Sequence, residues 1–157
     1  MYSARRSYRS RASGVAASLL FFVLVLGLLA PRAGAETTWE RTNDAGMVEM
    51  SVTYLNPTLP QPPATLNFQV KLSTHSVDLD GYRLEELASL RNDGGQSVPP
   101  AGWFNEAGGG HHRRGELRFP AKTAEGQMLI GPQTQLIEMI VRDIAGVKER
   151  RFQWKLR

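Results

Sequence analysis

Residues 66–73 read Leu-Asn-Phe-Gln-Val-Lys-Leu-Ser. Apolar side chains at Leu66, Phe68, Val70 and Leu72 alternate with polar ones at Asn67, Gln69, Lys71 and Ser73. That period of two belongs to a strand with one buried and one wet face, because successive side chains of an extended chain point to opposite sides. The same pattern recurs on both sides of this segment. Upstream, Val48, Met50, Val52 and Tyr54 share a face while Glu49, Ser51 and Thr53 take the other. Asn56-Pro57 and Pro60-Gln61-Pro62-Pro63 separate the two runs, since proline lacks the N–H a sheet ladder needs. Downstream, Leu117 and Phe119 alternate with Glu116 and Arg118 within residues 111–120. Residues 135–144 are rich in Ile and Val and partly apolar on both faces, as in a central strand. Phe152, Trp154 and Leu156 alternate with Arg151, Gln153, Lys155 and Arg157 in the last run.

Turn chemistry fills the gaps. Asp80-Gly81, Asn92-Asp93-Gly94-Gly95 and Ala145-Gly146 are turn formers, and Gly108 to Gly110 reads as flexible. Ser97 to Phe104 carries Pro99-Pro100 and reads as irregular or an edge. In Tyr82 to Arg91, Leu84, Leu87 and Ala88 have helical spacing, with Asp80 placed to cap a short helix. The expectation is an all-β domain: an antiparallel, immunoglobulin-like β-sandwich of about six or seven strands with one short connecting helix. Its core is expected from Val52, Phe68, Val70, Leu72, Leu117, Phe119, Ile137, Met139, Val141, Phe152 and Trp154.

The N-terminus differs in kind. Arg5, Arg6, Arg9 and Arg11 precede an apolar run from Val15 to Ala30, and Ala33-Gly34-Ala35 follows. Positive stretch, apolar run and small-x-small spacing make a secretory signal peptide over 1–35, with cleavage before Glu36. The run's 16 residues fall short of the roughly 20 a spanning helix needs. An uncleaved inner-membrane anchor is the competing reading, and a twin-arginine signal at Arg5-Arg6 the minority one. Residues 36–46 read as a polar leader and 47–157 as the sandwich domain. The expected location is periplasmic or extracellular, with membrane contact only through the N-terminal segment if it stays attached.

The signal also carries most of the chain's excess positive charge. The whole sequence has 19 Lys and Arg against 15 Asp and Glu. Residues 36–157 hold 14 basic and 15 acidic side chains, a net of −1. A nucleic-acid partner, which would need a basic footprint, is therefore not expected. Cysteine is absent, which excludes disulfides, thiolate-bound zinc, Fe–S clusters and thiol catalysis.

All three histidines lie in two segments, Thr74-His75-Ser76-Val77-Asp78 and His111-His112-Arg113-Arg114. Imidazole is the commonest transition-metal ligand. If both segments reach the same end of a sandwich, His75 and one of His111 or His112, with Asp78 or Glu106, offer a nitrogen-and-carboxylate set suited to Zn or Cu. On a continuous strand His111 and His112 face opposite ways and cannot easily share one ion. The competing reading makes the histidines turn residues, since no H-E-x-x-H spacing is present. Asp78-x-Asp80-Gly81 lacks the further acidic ligands of a calcium loop. Ser76 and His75 are sequence neighbours, poor geometry for nucleophile and base, and no G-x-S-x-G elbow exists. His112, Arg113, Arg114 and Arg118 read either as a small cationic patch or as a solvated strand face.

The segments Leu72-Ser73-Thr74-His75-Ser76-Val77-Asp78-Leu79 and His111-His112-Arg113 with Gly115-Glu116-Leu117-Arg118-Phe119-Pro120, with Trp103 between them, resemble a family of small exported bacterial β-sandwich proteins with no named activity. The resemblance implies a fold and an exported location and brings no catalytic residue. The functional expectation is a non-enzymatic binding or accessory module of the periplasm or cell surface, with an envelope or surface protein as partner and no certain cofactor. The alternative is a Zn- or Cu-binding protein using His75 and His111 or His112.

Overall fold

The computed structural model describes residues 39–58 and 64–156. The expected signal or anchor over 1–35 lies outside the described residues. Among the described residues, no helix is long and apolar enough to cross a membrane.

The runs read as strands become β2, β3, β7, β8 and β9, and in chain order the strands are β1 Glu40–Asn43, β2 Val48–Tyr54, β3 Thr65–Thr74, β4 Ala88–Asn92, β5 Ser97–Val98, β6 Gly102–Gly109, β7 His112–Pro120, β8 Leu136–Ile144 and β9 Val147–Lys155. All pairings are antiparallel. One sheet, called sheet A here, has the order β1-β2-β3-β7-β6, and the other, sheet B, the order β5-β4-β8-β9. A single α-helical turn, α1 (Leu84–Leu87), leads into β4.

The two-sheet sandwich is thus as expected, with differences that have local causes. Residues 40–43, inside the stretch read as a polar leader, form β1 and pair with β2. The Trp39 carbonyl fixes this entry by accepting from Tyr54 N at 3.0 Å and from Trp154 Nε1 at 2.7 Å. Ser97 to Phe104 supplies two edge strands, which with β1 and the short β4 brings the described count to nine. Asp80 does not cap α1. Arg83 holds the cap position without a side-chain bond, and Asp80 Oδ1 accepts from Gly110 N instead. Gly108 and Gly109 belong to β6 rather than to a loose loop: the φ of Gly108 is +86°, and a Cβ there would lie 2.1 Å from the His112 carbonyl oxygen. Only glycine fits so close a backbone approach.

The eleven expected core residues are all buried. Phe68 is their centre. Its ring stacks on Tyr54 at 4.8 Å, meets Phe119 edge-on at 5.6 Å and tilts against Trp154 at 5.0 Å. These contacts join β2, β3 and β7 of one sheet to β9 of the other. The most buried charge among the described residues is Arg150, 1 % exposed, which donates from Nη1 to Asn43 Oδ1 at 2.9 Å and to the Val48 carbonyl at 3.0 Å. Its Nε and Nη2 are buried without a partner, and burial lowers its pKa. The bonds it does make tie the β1–β2 turn to β9.

Burial also pushes the Tyr54 phenol from 10.0 up to about 12. The unfolded chain would lose this proton near pH 10 and the native protein near 12, so between those values the native state binds more protons. Stability from this group is therefore fully present below pH 10 and falls as pH rises to about 12, by about 2–3 kcal/mol. Urea unfolding at pH 9 and at pH 11.5 should show this alkaline loss, and Tyr54→Phe should reduce it. Identical pH dependence in parent and variant would mean that the phenol is not held in the core.

Candidate functional site

The outer faces of the two sheets are charged in different ways. On sheet B, Glu138 of β8 accepts from Arg91 Nε of β4 at 2.6 Å and from Gln153 Nε2 of β9 at 2.7 Å. Glu149 pairs with Arg151 at 2.5 Å and with Arg142 at 3.4 Å. Each of these carboxylates serves more than one cation, while Lys155 at the end of β9 has no ion-pair partner among the described residues.

Sheet A is matched only at one end. Arg118 of β7 makes two bonds to Glu116, at 3.0 and 3.2 Å, and its guanidinium lies 4.6 Å from the centroid of the Phe104 ring. The hydrogen bond that Arg118 donates to Glu116 raises the Arg118 pKa. Further along β7 the compensation stops. The register sets Lys71 of β3 directly opposite Arg114 of β7, and Ser73 opposite His112. Lys71 and Arg114 are both exposed, and among the described residues neither has an ion-pair partner. Like charges opposite one another on a sheet are destabilising.

Neighbouring strands leave room above this pair. Beside Arg114 and His112, β6 offers only Ala107 and Gly109. A bulge between Phe104 and Ala107, with Asn105 at φ 53°, shifts the larger β6 side chains away from these positions. On the other flank, β2 places Ser51 beside Lys71 and Glu49 beside Ser73. The result is a cleft of about 340 Å³ lined by Lys71, Ser73, Ala107, Gly108, His112 and Arg114. Ser73 Oγ and His112 Nδ1 are 3.0 Å apart, a hydrogen bond that fixes the ring on the outer face.

Arg113, expected in the cationic patch, points the other way. It is 8 % exposed and clamps the 75–82 loop. Nη1 donates to the carbonyls of Leu79 at 2.6 Å and Tyr82 at 2.8 Å, while Nε donates to Glu106 at 2.7 Å. The β6–β7 turn completes the clamp: Leu79 N donates to Gly110 O at 2.8 Å, Thr74 N to His111 O at 3.0 Å, and Gly110 N to Asp80 Oδ1 at 2.8 Å.

The two histidine segments therefore meet at one end of the sandwich, but the expected metal set of His75, His111, His112, Asp78 and Glu106 is not gathered. Among the described residues, no three His, Asp or Glu side chains are placed to hold an ion. Asp78 Oδ1 accepts from Asp80 N at 3.0 Å within its own turn, and Glu106 is held by Arg113. Ser76 Oγ lies 3.6 Å from Met47 Sδ. Of the expected patch, His112, Arg114 and Arg118 do share the outer face of β7. Lys71 was legible as an outward residue; its pairing with Arg114 was not, because two distant strands must find their register first.

No protein-family model and no curated protein matches the chain. Among solved structures, the 1.5 Å crystal structure of MPT63, a secreted protein from Mycobacterium tuberculosis, is similar with a TM-score of 0.38 and 13 % identity, covering 74 % of this chain and 91 % of that one. Likeness of that degree assigns neither family nor activity.

Replacing Arg113 by Met should remove the guanidinium donor from the Tyr82 carbonyl and leave the Leu79 carbonyl only its 3.3 Å bond from Tyr82 N, at about 1–3 kcal/mol. Hydrogen exchange should then quicken at Leu79 and Gly110 while the Phe68 strand stays protected. Unchanged protection at Leu79 would show that the clamp does not hold the loop.

Proposed function

We infer that the chain is an exported, non-enzymatic binding module that takes an anionic group on the outer face of sheet A. Export rests on the N-terminal sequence: a positive stretch, an apolar run and Ala33-Gly34-Ala35. The binding reading rests on one observation: Lys71 and Arg114 face each other across β3 and β7, neither has an ion-pair partner among the described residues, and both line a cleft. Two like charges held side by side raise the energy of the empty protein, and an anion between them removes that repulsion while gaining charge-assisted hydrogen bonds. The two strands fix the backbone positions from which both side chains project, so the ordering cost of binding is confined to the side chains. The partner is a component of the periplasm or cell surface that presents a negative group.

Citrate, phosphate and sulfate are suitable probes, followed through the amide resonances of the protein from Glu36 onward. At least one should shift residues 71–73 and 112–114, with Ser89, Arg142 and Arg151 on the outer face of sheet B unmoved. The effect should fade with added sodium chloride, as it must for an exposed electrostatic site. Shifts spread evenly over both sheets, or none with any probe, would remove this reading.

A further inference from the structure

We propose that the sheet A cleft is specific for a tetrahedral oxyanion, a phosphate or sulfate monoester, rather than for a carboxylate or an extended polyanion. This rests on the reading of the cleft as an anion site and adds the chemistry of its ligand.

The donors and their spacing carry the inference. Directly opposed residues on an antiparallel pair lie about 5 Å apart, and same-face residues along a strand roughly 7 Å apart. Lys71, Arg114, Ser73 and His112 thus stand at the corners of a small rectangle, with ligand space above it. Lysine brings a compact ammonium with three hydrogens, and arginine a planar fork that binds two oxygens at once. Ser73 adds a third direction. With its oxygen 3.0 Å from His112 Nδ1, it can accept from a protonated Nδ1 and turn its own hydrogen toward a ligand. Donors approaching from two strands and three directions match the three terminal oxygens of a phosphate or sulfate ester. A carboxylate has about four acceptor sites but holds them in one plane, so donors converging from several directions meet it at poorer angles than they meet a tetrahedral group.

Surrounding charge sets the size. The positive field does not continue along β7, because Arg118 is paired with Glu116 and covered by Phe104. Glu49 flanks Ser73 on β2, and Asp80 lies beyond Gly109, close enough that a Cβ on that glycine would meet its carboxylate at 3.4 Å. A long polyanion crossing the sheet would run into one carboxylate or the other. A single headgroup would not. The cleft volume of about 340 Å³ is at the small end of the roughly 300–1,000 Å³ usual for small-ligand sites. Gly108 forms part of the lining with no side chain, so an ester's organic group has an exit over the β6 edge.

The test is calorimetric titration of the protein from Glu36 onward with methyl phosphate, methyl sulfate and acetate at low ionic strength. Methyl phosphate or methyl sulfate should bind at least about tenfold more tightly than acetate. Lys71→Gln and Arg114→Gln should each weaken that binding about tenfold, and Ser73→Ala less, while Lys148→Gln leaves it unchanged. Thermal melting of each variant separates lost binding from lost folding. Vesicles of zwitterionic lipid with and without phosphatidic acid identify the source. Sedimentation with the phosphatidic acid vesicles alone assigns a lipid headgroup, and binding of methyl phosphate without sedimentation assigns a soluble ester. Acetate binding as tightly as the esters would overturn this inference and leave the anion site standing. No binding of any anion, or ester binding indifferent to Lys71 and Arg114, would overturn both.

Discussion

The pairing of β3 with β7 is the constraint on which the rest depends. Phe68 stands opposite Leu117 and Leu66 opposite Phe119, all facing the interior. Because side chains alternate strictly, a slip of one residue would carry a strand's whole apolar face into water. Burying a single phenylalanine is worth about 1.5–3 kcal/mol. The repulsion between two opposed surface cations is worth a few tenths to about 1 kcal/mol. The inner face therefore sets the register, and the register places Lys71 against Arg114. The sheet tolerates an unfavourable pair on its outside because several favourable ones on its inside leave no alternative alignment.

Room for a ligand above that pair comes from small residues and from anchoring beneath it. Gly115 of β7 faces inward under Trp103, where a Cβ would lie 2.5 Å from the indole, so β6 and β7 approach closely along this stretch. Gly108 permits a close approach to the His112 carbonyl further along the pair, and the register shift between Phe104 and Ala107 leaves Ala107 beside Arg114. Arg113 works from the interior, holding the 79–82 backbone and Glu106 together at the end of the sheet. Consecutive arginines thus have opposite duties: Arg113 organises the end of the sandwich, and Arg114 stands on the outer face with no ion-pair partner among the described residues.

The parts of this arrangement legible in the sequence were those fixed by local alternation. The period of two in residues 48–54, 66–73, 117–119 and 152–156 gave the strands, their buried faces and the core around Phe68. It also placed His112, Arg114 and Arg118 on one side of β7. What depended on pairing between distant strands was not legible. Alternation alone also turns Arg113 inward with Leu117 and Phe119, but its partners Leu79, Tyr82 and Glu106 come from distant segments that only the assembled fold brings to it. Residues 40–43 carry no apolar alternation and read as leader, because their strand is held by backbone bonds to β2 and by Trp154, over one hundred residues away. The carboxylates assigned to a metal had nearer partners: the Asp78 turn and the Arg113 guanidinium.

The central claim, that the core register forces two uncompensated cations together, is tested most directly by a double-mutant cycle on stability. Lys71→Gln, Arg114→Gln and the double variant would be unfolded in urea at low ionic strength, without ligand. Each single change should raise the unfolding free energy by about 0.2–1 kcal/mol, and the gain should shrink in salt. The double variant should gain less than the sum of the two, because a single repulsion can be removed only once. Additive effects, or a loss of stability in either single variant, would contradict the account and place the two charges apart or in contact with partners of their own.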